Sequence, residues 1–405
     1  MRAVVCEQLG DPLAAGDANA ALRFTTDAPS PPSTAPPPPR PVRVRISAAS
    51  LNFADLLQVA GKYQDRPKLP FIVGSDFSGV VVAAGDGVPS ELRAPGTRVC
   101  GVGANKAFAE EAVVPAAGVW RLPDGVEDLH AAAGVPVAFG TADLALRHRA
   151  RLQPGQTLLV LGASGGVGAA AVQIGRLLGA RVVAVARGED KARFLREDLG
   201  AHAVVDTSAL QAAGGGGKGG GEADEKALCA AFKAALKQVT SGGGSTKPHP
   251  PTADVVFDNV GGSQFSAALR CASWGAQLLS VGFASGSIPS VPANLLLVKN
   301  ATLHGVFWGA HLSNPQAGSQ AAALLRGSVG QVLSWVAEGR LSVPVSARLP
   351  LERVREAAAL MAGRKVMGKV LLVVDEGEAA ADTAQGEAEG GALVGGPPPY
   401  PRSRL

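Results

Sequence analysis

The sequence predicts an α/β chain of two domains, one built on a doubly wound parallel sheet and the other on short β-strands. Three observations carry that prediction. At 405 residues and 46% hydrophobic content, the chain is folded protein and longer than a single core usually organises. Between residues 157 and 283 apolar runs alternate with amphipathic stretches of ten to fifteen residues, as strands alternate with crossover helices in a parallel sheet. Before that region the runs are short, rich in β-branched residues and separated by turn residues, which suits a small barrel-like domain.

The elements follow in order. PVRVRISAASLN (41–52), SGVVVAA (78–84) and TRVCGV (97–102) read as strands. TLLVL (157–161), RVVAVA (181–186), HAVVD (202–206), ADVVFDNV (253–260) and AQLLSVGF (276–283) are the strands of the alternating region. Its helices are VGAAAVQIGRLLG (167–179), EDKARFLREDLG (189–200), EKALCAAFKAALKQV (225–239) and SQFSAALRCA (263–272). A helix over about 316–338, a turn at Gly339, a helix over 351–361 and the strand GKVLLVV close the chain and are expected to fold back onto the first domain. Three low-complexity segments, 11–41, 209–223 and the tail 377–405, are too poor in apolar surface to offset their ordering entropy; the first two are expected to be flexible insertions and the tail disordered.

GASGGVG (162–168) lies between an apolar strand and a helix, where a Rossmann-type turn must lie. Gly162, Gly165, Gly166 and Gly168, with Ser164 and Val167 between them, allow a diphosphate to approach backbone N–H groups at a helix N-terminus, whose dipole favours an anion. The spacing departs from G-x-G-x-x-G, so the flanking elements carry the assignment. GGGGKGGG (214–221) is equally glycine-rich but has no strand before it, and it fails that test. At the end of the next strand, where an Asp or Glu would bind ribose hydroxyls, the sequence has Arg187 followed by Lys191. These two basic residues either neutralise a 2′-phosphate, which makes NADPH the expected cofactor, or are solvated residues at a helix start.

Composition excludes other classes. Thirty-eight basic residues against 34 acidic leave +4 without a basic block, so charge gives no reason to invoke nucleic acid or a membrane surface, and small-molecule partners are expected. The apolar stretch 157–186 is interrupted by Gly165, Gly166, Gln173, Arg176 and Arg181, as befits buried strand, helix and strand rather than a membrane span. Cys6, Cys100, Cys229 and Cys271 lie far apart, with no CxxC pair and no zinc-ligand spacing to a histidine. No metal is expected, and the compartment is expected to be reducing. No signal or transit segment is evident at the N-terminus, so the expected location is the cytoplasm.

SLNFADLL (50–57), GKYQDRPKLPFIVGSDFSGVV (61–81), FGTADLAL (139–146), LQPGQTLLVLGASGGVG (152–168) and LLLVKNATLHGVFWG (295–309) together resemble the zinc-independent quinone oxidoreductases, the zeta-crystallin-like branch of the medium-chain dehydrogenase/reductase superfamily. The last run is most like that of the quinone oxidoreductase-like proteins. The resemblance covers about residues 1–10 and 40–375. It implies a GroES-like catalytic domain from 1–134 and 311–376, a Rossmann domain at 135–310, and an active site in the cleft between them. Zinc alcohol dehydrogenases of that superfamily carry Cys where this chain has Asn52, and Gly-His-Glu where it has Gly74-Ser75-Asp76. The Lewis acid that would polarise an alcohol is therefore missing, and reduction of an electrophilic acceptor remains.

The resemblance places Asn52, Asp55 and Tyr63 near the nicotinamide, where an amide or phenol can donate a hydrogen bond to a developing enolate or hydroquinone oxygen. Asp55 can equally cap a helix, Tyr63 can equally be a core aromatic, and Asp76 is read as structural. On the cofactor side it implies Thr141, Asn259 with Gly261, Val281, Gly282 and Phe283, and at the nucleotide phosphates Arg364 and Lys369 of GRKVMGK, which as residues alone are equally surface charges. The implied activity is NADPH-dependent hydride transfer to a quinone or an α,β-unsaturated carbonyl, in a protein able to form a homodimer. The alternatives are an enoyl-thioester reductase and an NADPH-binding protein of low turnover that contacts RNA or protein.

Overall fold

A computed structural model describes residues 1–14, 21–30, 40–103, 105–208, 210, 222–240, 251–313 and 318–374. The chain divides into two compact units, one formed by Met1–Gly140 with the described residues from Gly309 onward, the other by Thr141–Trp308. The sequence placed these boundaries at 134/135 and 310/311.

The first unit is organised by the long strand β3 (Pro41–Leu51), reached after β1 (Ala3–Cys6) and β2 (Arg23–Thr25). Val42, Val44 and Ile46 of β3 are buried, whereas Arg43 and Arg45 are not; beyond Ile46 both faces are covered. Strands β4 (Phe71–Ile72), β5 (Asp76–Ala84), β6 (Arg98–Val102), β7 (Glu111–Pro115) and β8 (Val119–Arg121) follow, and the chain returns with β15 (Val345–Pro350) and β16 (Lys369–Val373). The main sheet runs β15-β16-β3-β5-β6-β8 with β7 also on β3, and β2-β1-β4 forms a smaller antiparallel sheet. Gly79 faces the Arg45 carbonyl so closely that a Cβ would lie 2.0 Å from it, beside the register shift between Ile46 and Ala48, so the pairing of β5 with β3 requires glycine there.

One expectation is corrected here. Segment 11–41 is not a single flexible insertion: Ala21 and Leu22 are buried, and Arg23–Thr25 pair antiparallel with β1. Leu22 and Phe24 join the core of β1 and β3, apolar contacts that a Pro/Ala-rich composition conceals. The glycine-rich run 214–221, most of 209–223 and the tail 377–405 lie outside the described residues.

The second unit holds β9 (Thr157–Leu161), β10 (Arg181–Ala186), β11 (Ala203–Asp206), β12 (Ala253–Asp258), β13 (Ala272–Ser280) and β14 (Thr302–Gly305). They form one parallel sheet in the order β11-β10-β9-β12-β13-β14, two halves wound outward from β9 and β12. All five residues of β9 are buried, as in a sheet covered on both faces. The predicted helices are present as Gly166–Leu177, Glu189–Arg193 continuing to Asp198, Glu222–Thr240 and Gly262–Cys271. No helix among the described residues is long and apolar enough to cross a membrane.

Candidate functional site

In the first unit three strand termini converge. The end of β3 carries Asn52, β5 begins with Asp76 opposite Ser50, and β16 begins with Lys369 beside the Val370–Leu51 pair. Gly368 makes that last approach possible: its φ is +85°, and a Cβ there would lie 2.2 Å from the Pro344 carbonyl. The resulting network is buried. Lys369 Nζ donates to Asn52 Oδ1 at 2.7 Å and to the Leu51 carbonyl at 3.3 Å. Asn52 Nδ2 donates to Asp76 Oδ1 at 2.7 Å and to the Ser50 carbonyl at 3.2 Å. Asp55 Oδ2 accepts the Asn52 N–H at 2.8 Å and Oδ1 accepts the Ser75 hydroxyl at 2.7 Å.

This geometry revises two expectations. Both amide hydrogens of Asn52 are committed within the protein, so its side chain has no donor left for a substrate oxygen. Lys369 was expected at the nucleotide phosphates, but the residue is only 3% exposed and its ammonium holds Asn52, whereas a phosphate clamp needs an accessible cation. Asp55 acts as the capping residue at the start of the helix Phe53–Val59, which was its other reading. Tyr63 is half-buried after that helix, and Arg364 is exposed at φ +55° in the turn that follows the helix Val354–Ala362.

Burial dominates the electrostatics. It pushes the Asp55 carboxyl up to about 7, with Asp76 adding to the rise and the Ser75 and Asn52 donors opposing it. Burial also raises Asp76, against the pull of Lys369 and Asn52, and lowers Lys369, against the pull of Asp76 and Asp55. Tyr63 is raised by burial and then by Asp55 and Asp65, which keeps the phenol protonated. A carboxyl whose folded value exceeds its unfolded value near 4 holds a proton only in the folded state across that interval. Its contribution therefore falls as pH rises from about 4 to about 7. Urea unfolding across this range should show a steeper loss of stability in the native protein than in Asp55→Asn; parallel profiles would show that Asp55 does not titrate there.

In the second unit the predicted cofactor residues other than Thr141 follow the C-terminal ends of β9, β10, β12 and β13. Gly162 turns at φ +64°, and Gly168 packs so tightly that a Cβ would lie 2.3 Å from the Gly162 carbonyl. Gly165 differs: a Cβ there would meet nothing nearer than 3.9 Å, at the N-terminus of the helix Gly166–Leu177. Ser164 is buried, Val167 is half-buried, and Gly166 opens the helix. Arg187 is exposed directly after β10, and Lys191 is half-buried one helical turn later. Asn259 follows β12 and its carbonyl accepts from Ala284; Val281 and Gly282 donate to the Asp258 carbonyl at 2.9 and 3.2 Å, with the exposed Phe283 next to them. Thr141 is buried in the short helix Gly140–Asp143, at the start of the unit.

Two organising carboxylates were missed. Asp258 Oδ1 accepts the N–H groups of Val260 and Gly261 at 2.8 and 2.9 Å and so shapes the turn that carries Asn259. Its signal was local, an Asp followed by Asn-Val-Gly-Gly, the pattern of an Asx turn. Asp206, at the end of β11, accepts the Gly188 N–H at 2.8 Å and supports the turn of Arg187 from the neighbouring strand. Partial burial pushes Asp206 up, yet the N–H groups of Gly188 and Ser208 hold it below the usual carboxylate value.

Two family models match the chain, the alcohol dehydrogenase GroES-like domain over residues 38–124 and zinc-binding dehydrogenase over residues 166–325. The quinone oxidoreductase-like protein 2 homolog of Nematostella vectensis is 36% identical over 375 residues, 92% of this chain and 88% of that protein. Quinone oxidoreductase-like protein 2 of Bos taurus is 35% identical over 338 residues, 83% of this chain and 86% of that one. The solved structure of a mycobacterial protein complexed with NADPH aligns at a TM-score of 0.75 and 26% identity, over 92% of this chain and 100% of that one. With a GroES-like domain, the doubly wound strand order and relatives at this identity and coverage, the chain belongs to the medium-chain dehydrogenase/reductase superfamily, among its quinone oxidoreductase-like proteins.

Proposed function

We propose that the protein is an NADPH-dependent, zinc-independent reductase that delivers hydride to a quinone or an α,β-unsaturated carbonyl. The observation that carries this reading is the open backbone at Gly165, at a helix N-terminus beside the point where the strand order reverses. It is a cradle that a Cβ would begin to fill. NADPH bound there would supply the hydride. Arg187 supports preference for the phosphorylated cofactor, because β10 ends without a carboxylate and Asp206 is turned onto the N–H groups of Gly188 and Ser208.

The donor set at the matched positions does not fit zinc. Asn52 Oδ1 already takes the Lys369 ammonium, Asp76 Oδ1 takes the Asn52 amide, and neither Cys nor His stands there. No step is therefore routed through a metal. The protein's part is to position the reactants and to donate a hydrogen bond. With Asn52 committed, the Tyr63 phenol is the candidate donor to the acceptor oxygen, and burial keeps it protonated at neutral pH. Solvent completes protonation.

The test is NADPH and NADH oxidation across quinones, alkenals and enoyl thioesters, with Arg187→Ala in parallel. NADPH should be consumed with a quinone or enone, and the variant should weaken NADPH by about tenfold or more while leaving NADH nearly unchanged. Binding without oxidation of NADPH on any acceptor would favour a binding protein. Equal losses for both cofactors would remove the phosphate role of Arg187.

A further inference from the structure

The four cysteines lie far apart in sequence, but the fold brings two of them into contact. Cys229, within the helix Glu222–Thr240, and Cys271, the last residue of the helix Gly262–Cys271, have their Sγ atoms 3.3 Å apart. The Cys271 thiol also lies 3.6 Å from the Cys229 carbonyl, and an Arg270–Glu225 ion pair ties the same two helices together. Cys271 is fully enclosed and Cys229 is 9% exposed. Cys6 and Cys100 belong to the other unit, where Cys6 donates to the Gln8 carbonyl and Cys100 is buried in β6.

We propose that Cys229 and Cys271 are a redox modification site that closes to an intramolecular disulfide when the protein meets hydrogen peroxide. The sulfurs must approach by about 1.3 Å to reach the bonded distance, a movement available to side-chain rotation. Cys229 is the entry point because it is the less enclosed residue of the pair, 9% exposed against none for Cys271. Its thiolate attacks one peroxide oxygen, the O–O bond breaks, and a sulfenic acid forms with release of water. The Cys271 sulfur then attacks the Cys229 sulfur, the S–O bond breaks, and a second water leaves with the Cys271 proton. The two thiols together lose two electrons, and the peroxide takes them.

Burial pushes the Cys271 thiol up to about 12, with Cys229 adding to the rise and Lys233 and Lys299 opposing it. In a reducing compartment the pair therefore rests as a dithiol, and closure is slower than at an exposed, acidic cysteine. Once closed, the bond links two helices of the parallel-sheet unit across the undescribed segment 241–250 and constrains a long loop of the unfolded chain.

The experiment treats the full chain with hydrogen peroxide, unfolds it, alkylates the remaining thiols and maps the peptides by mass spectrometry. The expected result is loss of two of the four thiols together, as one cross-link between the peptides of Cys229 and Cys271. Dithiothreitol should reverse it, and the thermal midpoint of the oxidised protein should rise by roughly 5–10 °C. Cys229→Ser and Cys271→Ser should each lose the cross-link and the gain. Retention of all four thiols, stepwise sulfinic or sulfonic acid without a cross-link, or a bridge involving Cys6 or Cys100 would overturn the proposal.

Discussion

Lys369→Met should lower the thermal midpoint of the GroES-like unit by roughly 10 °C, the largest loss expected from a single side chain there. The Lys369 ammonium is the cation of a buried network that holds Asp76 and Asp55 with Asn52. Removing one partner from such a network leaves uncompensated charge and costs about 3–5 kcal/mol, equivalent to that midpoint shift in a unit of this size. The remaining carboxylates can relieve the charge by taking up a proton, so the loss should be smaller at pH 5 than at pH 8. Adding Asp76→Asn to Lys369→Met should recover part of the stability, with a coupling above about 1 kcal/mol in the double-mutant cycle. Calorimetry at both pH values measures all three quantities. A midpoint unchanged within about 1 °C would show that the ammonium does not hold the network together.

The second large effect separates two glycines of one turn. Gly168→Ala places a Cβ 2.3 Å from the Gly162 carbonyl and 2.8 Å from Ala163 Cα, so backbone must move, and a loss of about 3 kcal/mol or more is expected. Gly165→Ala meets no such obstacle. Its φ of −78° and ψ of 168° suit any residue, and the nearest atom to its Cβ is 3.9 Å away. Stability should change by no more than about 0.5 kcal/mol, while NADPH affinity falls by about tenfold or more because the methyl occupies the space the diphosphate needs. Thermal unfolding and NADPH titration by fluorescence read the two effects independently. Unchanged affinity in Gly165→Ala would remove this turn from the cofactor site, whatever Gly168→Ala does.

The turn was legible because it is local. Strand, glycines and helix stand within about twenty residues, and the same chemistry that shapes the backbone selects the residues that can occupy it. The alternation of strands and helices was legible for the same reason. Several strands were not: β1, β4, β7 and β8 run for two to five residues, β14 has mostly exposed residues at a sheet edge, and the apolar face of β15 is only Val345, Ala347 and Leu349, runs too short to stand out from a loop. Residues 21–25 were hidden differently, by a Pro/Ala-rich neighbourhood that masks two buried side chains, Ala21 and Leu22.

The sequence alone determined the α/β architecture, the family and the glycine turn between β9 and the helix Gly166–Leu177, since each rests on periodicity or on motifs of contiguous residues. Only the tertiary structure decided what Asn52, Lys369 and the cysteines contact. Lys369 reaches Asn52 across 317 positions, and Cys229 reaches Cys271 across 42, through packing of elements whose order in space no local pattern specifies. The ammonium that looked like a phosphate ligand is a buried counterion, and the amide that looked like a substrate donor is its partner. The physical reason is the cost of burying charge: once the end of β3, the helix after it and the start of β5 bring Asp55 and Asp76 together away from water, hydrogen-bond donors and a nearby cation must compensate them, whichever part of the chain supplies those groups.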